Sequence, residues 1–194
     1  MIKRMIGYVL HNWFNLNIER PYPRASIKAI KEKGWKDVIG VEIGVYKGKN
    51  ALSILKTLNV KKLYLIDPYV YYDDYGDVAG GQKAFDKLLE KTIKTLKGYE
   101  DRYVLIKKTA NDALIDIPNN LDFVYIDGNH KYDYVKQDIE NYYPKLKSGG
   151  ILAGHDIENE NSEHDGVVKA VLDFVRKHKL QVKIKSPDWF FVHP

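Results

Sequence analysis

Hydrophobic blocks of two different periods alternate along this chain. Short, largely β-branched runs stand at Val38–Ile43, Lys62–Asp67, Arg102–Lys107, Leu121–Ile126 and Gly150–Ala153. Each has the length and apolar content of a strand buried in a sheet. Between them, apolar residues recur every three to four positions, as in Asn50 to Leu58 with Leu52, Leu55 and Leu58 on one side. Gln82 to Leu96, Tyr132 to Tyr143 and Gly166 to His178 share that spacing and read as amphipathic helices. A further helix is expected from Ser26, a residue type suited to N-capping, to about Lys33, with Gly34 ending it. Pro144–Gly150 reads as a turn, and two β-rich pieces, Gln181–Ile184 and Trp189–Val192, close the chain. Strands alternating with helices in this way predict an α/β fold, a doubly wound, mostly parallel seven-stranded sheet with helices on both faces. Ligands on such sheets bind beyond the carboxyl ends of the strands, near the topological switch point. The residues just after each strand therefore carry the chemistry.

No internal repeat and no linker rich in Pro, Gly or Ser divides the 194 residues. The expectation is one domain over residues 36–194, preceded by an N-terminal helical segment over residues 1–35. There is no cysteine, which excludes disulfides, thiolate metal sites and a cysteine nucleophile, and fits a reducing cytoplasm. Met1–Leu10 begins basic and turns apolar like a signal peptide, but the apolar run stops at His11-Asn12 without a small-residue cleavage site. No stretch approaches the roughly 20 apolar residues of a membrane span. A soluble, cytoplasmic protein without a membrane partner is expected. The net charge of +5 comes from lysines interleaved with acids, as in Lys28-Ala-Ile-Lys31-Glu32-Lys33, which describes a solvated helix face better than a nucleic-acid stripe.

After the first strand the chain reads Glu42-Ile-Gly44-Val-Tyr46-Lys-Gly48-Lys-Asn50. Gly44 and Gly48 let the backbone turn sharply and approach a ligand. Their spacing is not the dinucleotide pattern G-x-G-x-x-G, which argues against a nicotinamide dehydrogenase. An acid at the end of the strand, Glu42, would repel phosphates and suit a cationic amine. Asp67 ends the second strand, where nucleotide-binding sheets place the carboxylate that accepts hydrogen bonds from ribose hydroxyls; Asp67-Pro68 also fits a simple turn. Together the two loops point to a ribose-bearing ligand.

Glu42-Ile-Gly-Val-Tyr-Lys-Gly48 resembles motif I of class I S-adenosylmethionine-dependent methyltransferases, most closely the catechol O-methyltransferase-like branch. Leu121-Asp-Phe-Val-Tyr-Ile-Asp127-Gly-Asn-His130, followed by Tyr132, Asp138, Pro144, Leu146, Gly149-Gly150 and His155-Asp156, resembles a group with an I-D-G-x-H pattern that includes macrolide-sugar O-methyltransferases and cephalosporin-hydroxylase-like proteins. The likeness runs from about residue 38 to 192 and leaves out the first 35 residues and the loop 69–81. It implies a Rossmann-like methyltransferase fold and S-adenosyl-L-methionine as cofactor. It further implies that Glu42, Gly44, Tyr46, Gly48 and Asn50 surround the methionine part, with Asp67 on the ribose and Ala110 and Asn111, in Thr109-Ala-Asn111, beside the adenine. Asp127 would border the same site.

The fourth and fifth strands end in Asp127-Gly-Asn-His130 and His155-Asp156, on the ligand side of a parallel sheet. Carboxylates and imidazoles together suit several divalent ions. The resemblance implies a Mg²⁺ or Mn²⁺ ion on Asp127, His155 and Asp156, with His155 standing where an acid is usual. His130 and Asp127 are the implied catalytic pair, His130 replacing a lysine base of the catechol-type enzymes and able to take a proton from an acceptor hydroxyl. A loop-ordering role fits His130 equally well. His11, His164, His178 and His193 have no motif company and read as surface or packing residues. Tyr69-Val-Tyr-Tyr-Asp-Asp-Tyr75 suits either the grip on a sugar or phenol acceptor or a lid or subunit contact in a homo-oligomer. O-methylation of a small-molecule hydroxyl is the expected reaction. A non-catalytic cofactor-binding module and a nucleic-acid methyltransferase are the alternatives; the latter lacks the Asn/Asp-Pro-Pro-aromatic motif of base N-methylation after strand four.

Overall fold

The computed structural model describes residues 22–71, 80–157 and 165–194. The signal-like start, His11, His164 and the tyrosine-rich stretch beyond Tyr71 fall outside these residues. In chain order the elements are α1 (Ala25–Lys31), β1 (Val38–Ile43), α2 (Lys49–Thr57), β2 (Val60–Ile66), α3 (Gln82–Thr95), β3 (Tyr103–Ile106), α4 (Ala110–Ala113), β4 (Leu121–Ile126), α5 (Tyr132–Tyr142), β5 (Leu146–Gly154), α6 (Asp165–His178), β6 (Lys183–Lys185) and β7 (Asp188–Val192). Single 3₁₀ turns follow α4 and α5.

The seven strands form one sheet in the order β3-β2-β1-β4-β5-β7-β6. β1 to β5 are parallel, and β7 inserts antiparallel between β5 and β6. The order reverses between β1 and β4, so the switch point lies where Ile43 and Ile126 end side by side. All of β4 is buried because both faces of the sheet are covered and successive side chains alternate between them. Val124 and Ile126 pack with Val135, Ile139 and Tyr142 of α5 and Val167, Val171 and Phe174 of α6. Phe123 and Tyr125 pack on the other face with Ile27 and Ile30 of α1 and Ile54 and Leu55 of α2. Among the described residues no helix is long and apolar enough to cross a membrane.

Two local features depart from the sequence reading. Arg24, not Ser26, is the N-cap of α1, and it makes no side-chain capping bond. Ser26 sits inside the first turn because its amide and hydroxyl both bond Asp188 Oδ2 of β7. β5 starts at Leu146, within the expected turn, since Leu146 pairs with Leu121 and Gly149 N–H bonds the carbonyl of His193. The segment after β3 turns through the short helix α4, whose first turn is closed by the Thr109 hydroxyl accepting from Asp112 N–H. His178 and His193 are packing residues: both rings lie against Tyr143, and His178 stacks on Phe174 at 4.3 Å between centroids.

Candidate active site

The loop after β1 is held in place by three neighbouring elements. Gly44 has φ +83°, and a Cβ there would lie 2.1 Å from the carbonyl oxygen of Asp127. Glycine alone lets the ends of β1 and β4 come this close. Asp67 Oδ2 accepts from Val45 N–H at 3.0 Å and Tyr46 N–H at 2.9 Å, while Oδ1 accepts from Tyr69 N–H at 3.0 Å. The same carboxylate thus forms the Asx turn that Asp67-Pro68 suggests and ties β2 to the glycine loop. From α3, Thr92 Oγ1 donates to the Tyr46 carbonyl at 2.6 Å and receives the Tyr69 hydroxyl at 3.0 Å. Burial lifts the Asp67 carboxyl above its ordinary value even though the amides of Tyr46, Tyr69 and Val45 pull the other way.

Beyond these strand ends lies a cavity of about 620 Å³, within the range of small-molecule and cofactor sites. Gly44, Tyr46, Asp67, Ala110, Asn111 and Asp127 line it, with Ile43, Ile66, Phe85 and Leu88 supplying apolar wall. Six of the residues expected around a cofactor therefore meet at one space. Glu42, Gly48 and Asn50 are not on its wall. Gly48 packs against Thr92 and Leu96. Glu42 and Asn50 are buried behind the loop, where Asn50 Nδ2 donates to Glu42 Oε1 at 2.9 Å. Glu42 Oε2 and Asn50 Oδ1 have no hydrogen-bond partner among the described residues. Burial pushes Glu42 up to about 8 against the opposing effects of Asn50 and Arg24, so the carboxyl is largely neutral at pH 7. A cationic group drawn near it would favour its ionised form.

On the β4–β5 side, Asp127, His130 and Asp156 each offer a ligand atom within 4.8 Å of the others. His130 Nε2 is 3.7 Å from Asp127 Oδ1 and 3.4 Å from Asp156 Oδ2. His155 is turned so that Nδ1 lies 3.0 Å from Asp156 Oδ2 and 3.8 Å from Asp127 Oδ1. Its carbonyl receives the Trp189 indole N–H at 3.2 Å. Among the described residues, the set with cation-holding geometry thus contains His130 in place of the expected His155. Asp156 takes φ 58°, an uncommon conformation that turns the chain directly after β5 and aims its carboxylate at both imidazoles.

Arg24 belongs to this site although no motif marks it. Its Nη1 donates to Asp127 Oδ2 at 2.8 Å and to the Tyr125 hydroxyl at 2.6 Å, and the guanidinium lies over the Tyr125 ring at 5.4 Å. Tyr125 reaches on to Asp188 Oδ1 at 3.3 Å, and Asp188 holds Ser26. A polar chain therefore runs from β7 through α1 to the end of β4. Burial alone would lift Asp127, but Arg24, with His130 and His155, outweighs it and keeps the carboxyl below its usual range. Sequence pattern could not expose Arg24, because only the packing of α1 across β4 brings it there. Asp138 of α5, quoted above only as part of the resembling pattern, also lines the cavity and is buried.

A protein-family profile described as a methyltransferase domain matches residues 41–157, more than half of the chain, and the chain belongs to that family. An uncharacterized protein of Acanthamoeba polyphaga mimivirus is 28% identical over 129 residues, covering 63% of this chain and 53% of its own length. The chain thus spans about half the length of that relative. Among solved structures, the O-methyltransferase from Bacillus cereus in complex with SAH superposes with a TM-score of 0.64 at 14% identity over 100% of both chains. A putative rRNA methylase from Clostridium thermocellum gives 0.62 at 16% identity over 86% of this chain and 93% of the other. These likenesses establish a Rossmann-like methyltransferase fold.

Proposed function

We propose that the protein is an S-adenosylmethionine-dependent methyltransferase that methylates a hydroxyl of a small molecule, within the I-D-G-x-H group its sequence resembles. The observation that carries the reading is the meeting of Gly44, Tyr46, Asp67, Ala110 and Asn111 around one cavity that Asp127 also lines. The cofactor fits this lining: Asp67 offers carboxylate oxygens for ribose hydroxyls, and Ile43, Ile66, Phe85 and Leu88 supply apolar wall. Behind the loop, Glu42 and Asn50 retain acceptor atoms without partners. When bound, S-adenosylmethionine supplies an already activated sulfonium methyl group. The protein's part is to align the acceptor and exclude water. Asp127 and Asp156 would orient the acceptor hydroxyl, Arg24 would hold Asp127 ionised, and His130 Nε2 would accept the hydroxyl proton.

A second reading is favoured by the grouping of Asp127, His130 and Asp156 within 4.8 Å. Those three would hold a Mg²⁺ or Mn²⁺ ion, and its charge would lower the pKa of the acceptor hydroxyl. Both readings keep the hydroxyl acceptor. Transfer of a labelled methyl group should be measured with sugars, phenols and ribosomal RNA as acceptors, with and without chelator. Product with a small hydroxyl compound supports the proposal; product with RNA alone refutes it. Loss of activity on chelation, restored by Mg²⁺ or Mn²⁺, selects the metal reading over the His130 base.

A further inference from the structure

Asp188 opens β7, is 1% exposed and does not line the cavity, yet both of its oxygens are engaged. Oδ2 accepts from the Ser26 amide at 2.9 Å and from the Ser26 hydroxyl at 2.5 Å, and Oδ1 accepts from the Tyr125 hydroxyl at 3.3 Å. The direction of the next bond is forced. A guanidinium donates and cannot accept, so Arg24 Nη1, 2.6 Å from the Tyr125 oxygen, gives it a proton. The single proton of that hydroxyl is then left for Asp188. The second Nη1 proton goes to Asp127 Oδ2 at 2.8 Å. The two oxygens of Asp127 thereby acquire different duties. Oδ2 is held by Arg24, while Oδ1 lies 3.7 Å from His130 and 3.8 Å from His155. Asp188 also fixes Arg24 through the backbone, because Ser26 stands two residues after it in the first turn of α1. A free arginine side chain samples many rotamers, and these bonds select one.

We propose that Asp188 is a positioning residue that fixes the direction of the Asp127 carboxylate through Tyr125 and Arg24. Its consequence for the reaction rests on the methyltransferase reading given above. Asparagine cannot stand in for Asp188, since it offers one acceptor oxygen where two are in use. Turned one way, its amide group faces the donors of Ser26; turned the other, it replaces the acceptor that the Tyr125 proton needs. A displacement of about 1 Å among groups that orient a reactant costs on the order of a hundredfold in rate. Tyr125→Phe cuts the same relay at its midpoint and leaves Asp188 bonded to Ser26. The two variants therefore separate the relay from the mere fastening of β7 to α1.

The test combines crystal structures of the full chain carrying Asp188→Asn or Tyr125→Phe with methyl transfer from S-adenosylmethionine to the sugar or phenol that the wild-type protein methylates. In both variants Arg24 Nη1 is expected to move beyond about 3.5 Å from Asp127 Oδ2, outside hydrogen-bond range. The kcat should fall by about tenfold to a hundredfold. Calorimetric affinity for S-adenosylhomocysteine should stay within about threefold, because Asp67 and Ala110 lie outside the relay. The double variant should lose no more kcat than the worse single one, since both cut one chain of bonds. An Asp188→Asn structure with Arg24 still bonded to Asp127 overturns the assignment. So does full kcat in Tyr125→Phe beside a reduced kcat in Asp188→Asn, which marks Asp188 as a fastening only. Should Asp188→Asn fail to fold, the Arg24–Asp127 distance in Tyr125→Phe decides alone. A wild-type protein that methylates none of these compounds refutes the hydroxyl-methylation reading, while the same distances still decide the positioning claim.

Discussion

Replacing Arg24 by Met removes the only cation that the described residues bring within bonding distance of Asp127 from a distant part of the chain. The side chains of Arg24 and Asp127 are 14% and 17% exposed, so neither charge is well hydrated. Breaking a buried ion pair by deleting one partner costs about 3–5 kcal/mol, most of it the penalty of the stranded charge. The residual exposure and the nearby imidazoles of His130 and His155 reduce this to about 2–4 kcal/mol. In a chain of this size that corresponds to a fall in melting temperature of about 4–16 °C. Urea unfolding of Arg24→Met, Asp127→Asn and the double variant reads the coupling directly. In the double variant no charge is stranded, so its loss should be smaller than the sum of the single losses by about 1–3 kcal/mol. Single-variant losses that simply add, or an Arg24→Met protein as stable as wild type, would refute the claim that this pair is a working part of the site.

Asp67→Ala frees the amides of Val45, Tyr46 and Tyr69 and removes the proposed ribose acceptor, so S-adenosylhomocysteine affinity should drop by about 1–3 kcal/mol; unchanged calorimetric affinity returns Asp67 to a turn former. Gly44→Ala places a methyl 2.1 Å from the Asp127 carbonyl at a strained φ, and soluble expression or the urea midpoint should fall sharply; a variant of wild-type stability would contradict the packing of β1 against β4. Glu42 titrates near 8 in the folded protein against an ordinary value of 4.5. Because the folded value is raised, its contribution is complete below about 4.5 and is lost as pH rises through 8. Glu42→Gln should therefore flatten the decline of the urea midpoint between these limits, and an identical slope in wild type and variant would show that Glu42 is already ionised and paired.

Much of the sheet was legible because its strands are buried on both faces and so appear as unbroken apolar blocks. Val38–Ile43 and Leu121–Ile126 were read with their observed ends. Asp67, Asp127 and His130 were found because a parallel sheet puts every strand end on one side. What escaped depends on long-range packing. Ser26 looked like a cap, but the buried Asp188, 162 residues away, claims its hydroxyl. Arg24 carries no local signal, since its partners Tyr125 and Asp127 lie about a hundred residues on. Burial also decides Glu42: the sequence places a carboxylate beside the loop, and only its burial and its bond to Asn50 of α2 show that it lies behind the cavity wall. His130 rather than His155 joins Asp127 and Asp156 in the group within 4.8 Å, because side-chain direction at the strand ends is something spacing alone does not specify.

A crystal structure grown with millimolar S-adenosylhomocysteine tests the central claim most directly. The ligand is expected in the 620 Å³ cavity, its adenine beside Ala110 and Asn111, its ribose hydroxyls on Asp67 and its sulfur toward the Asp127 end. A cavity that stays without this ligand under those conditions, yet fills with NAD, would contradict the assignment of the site.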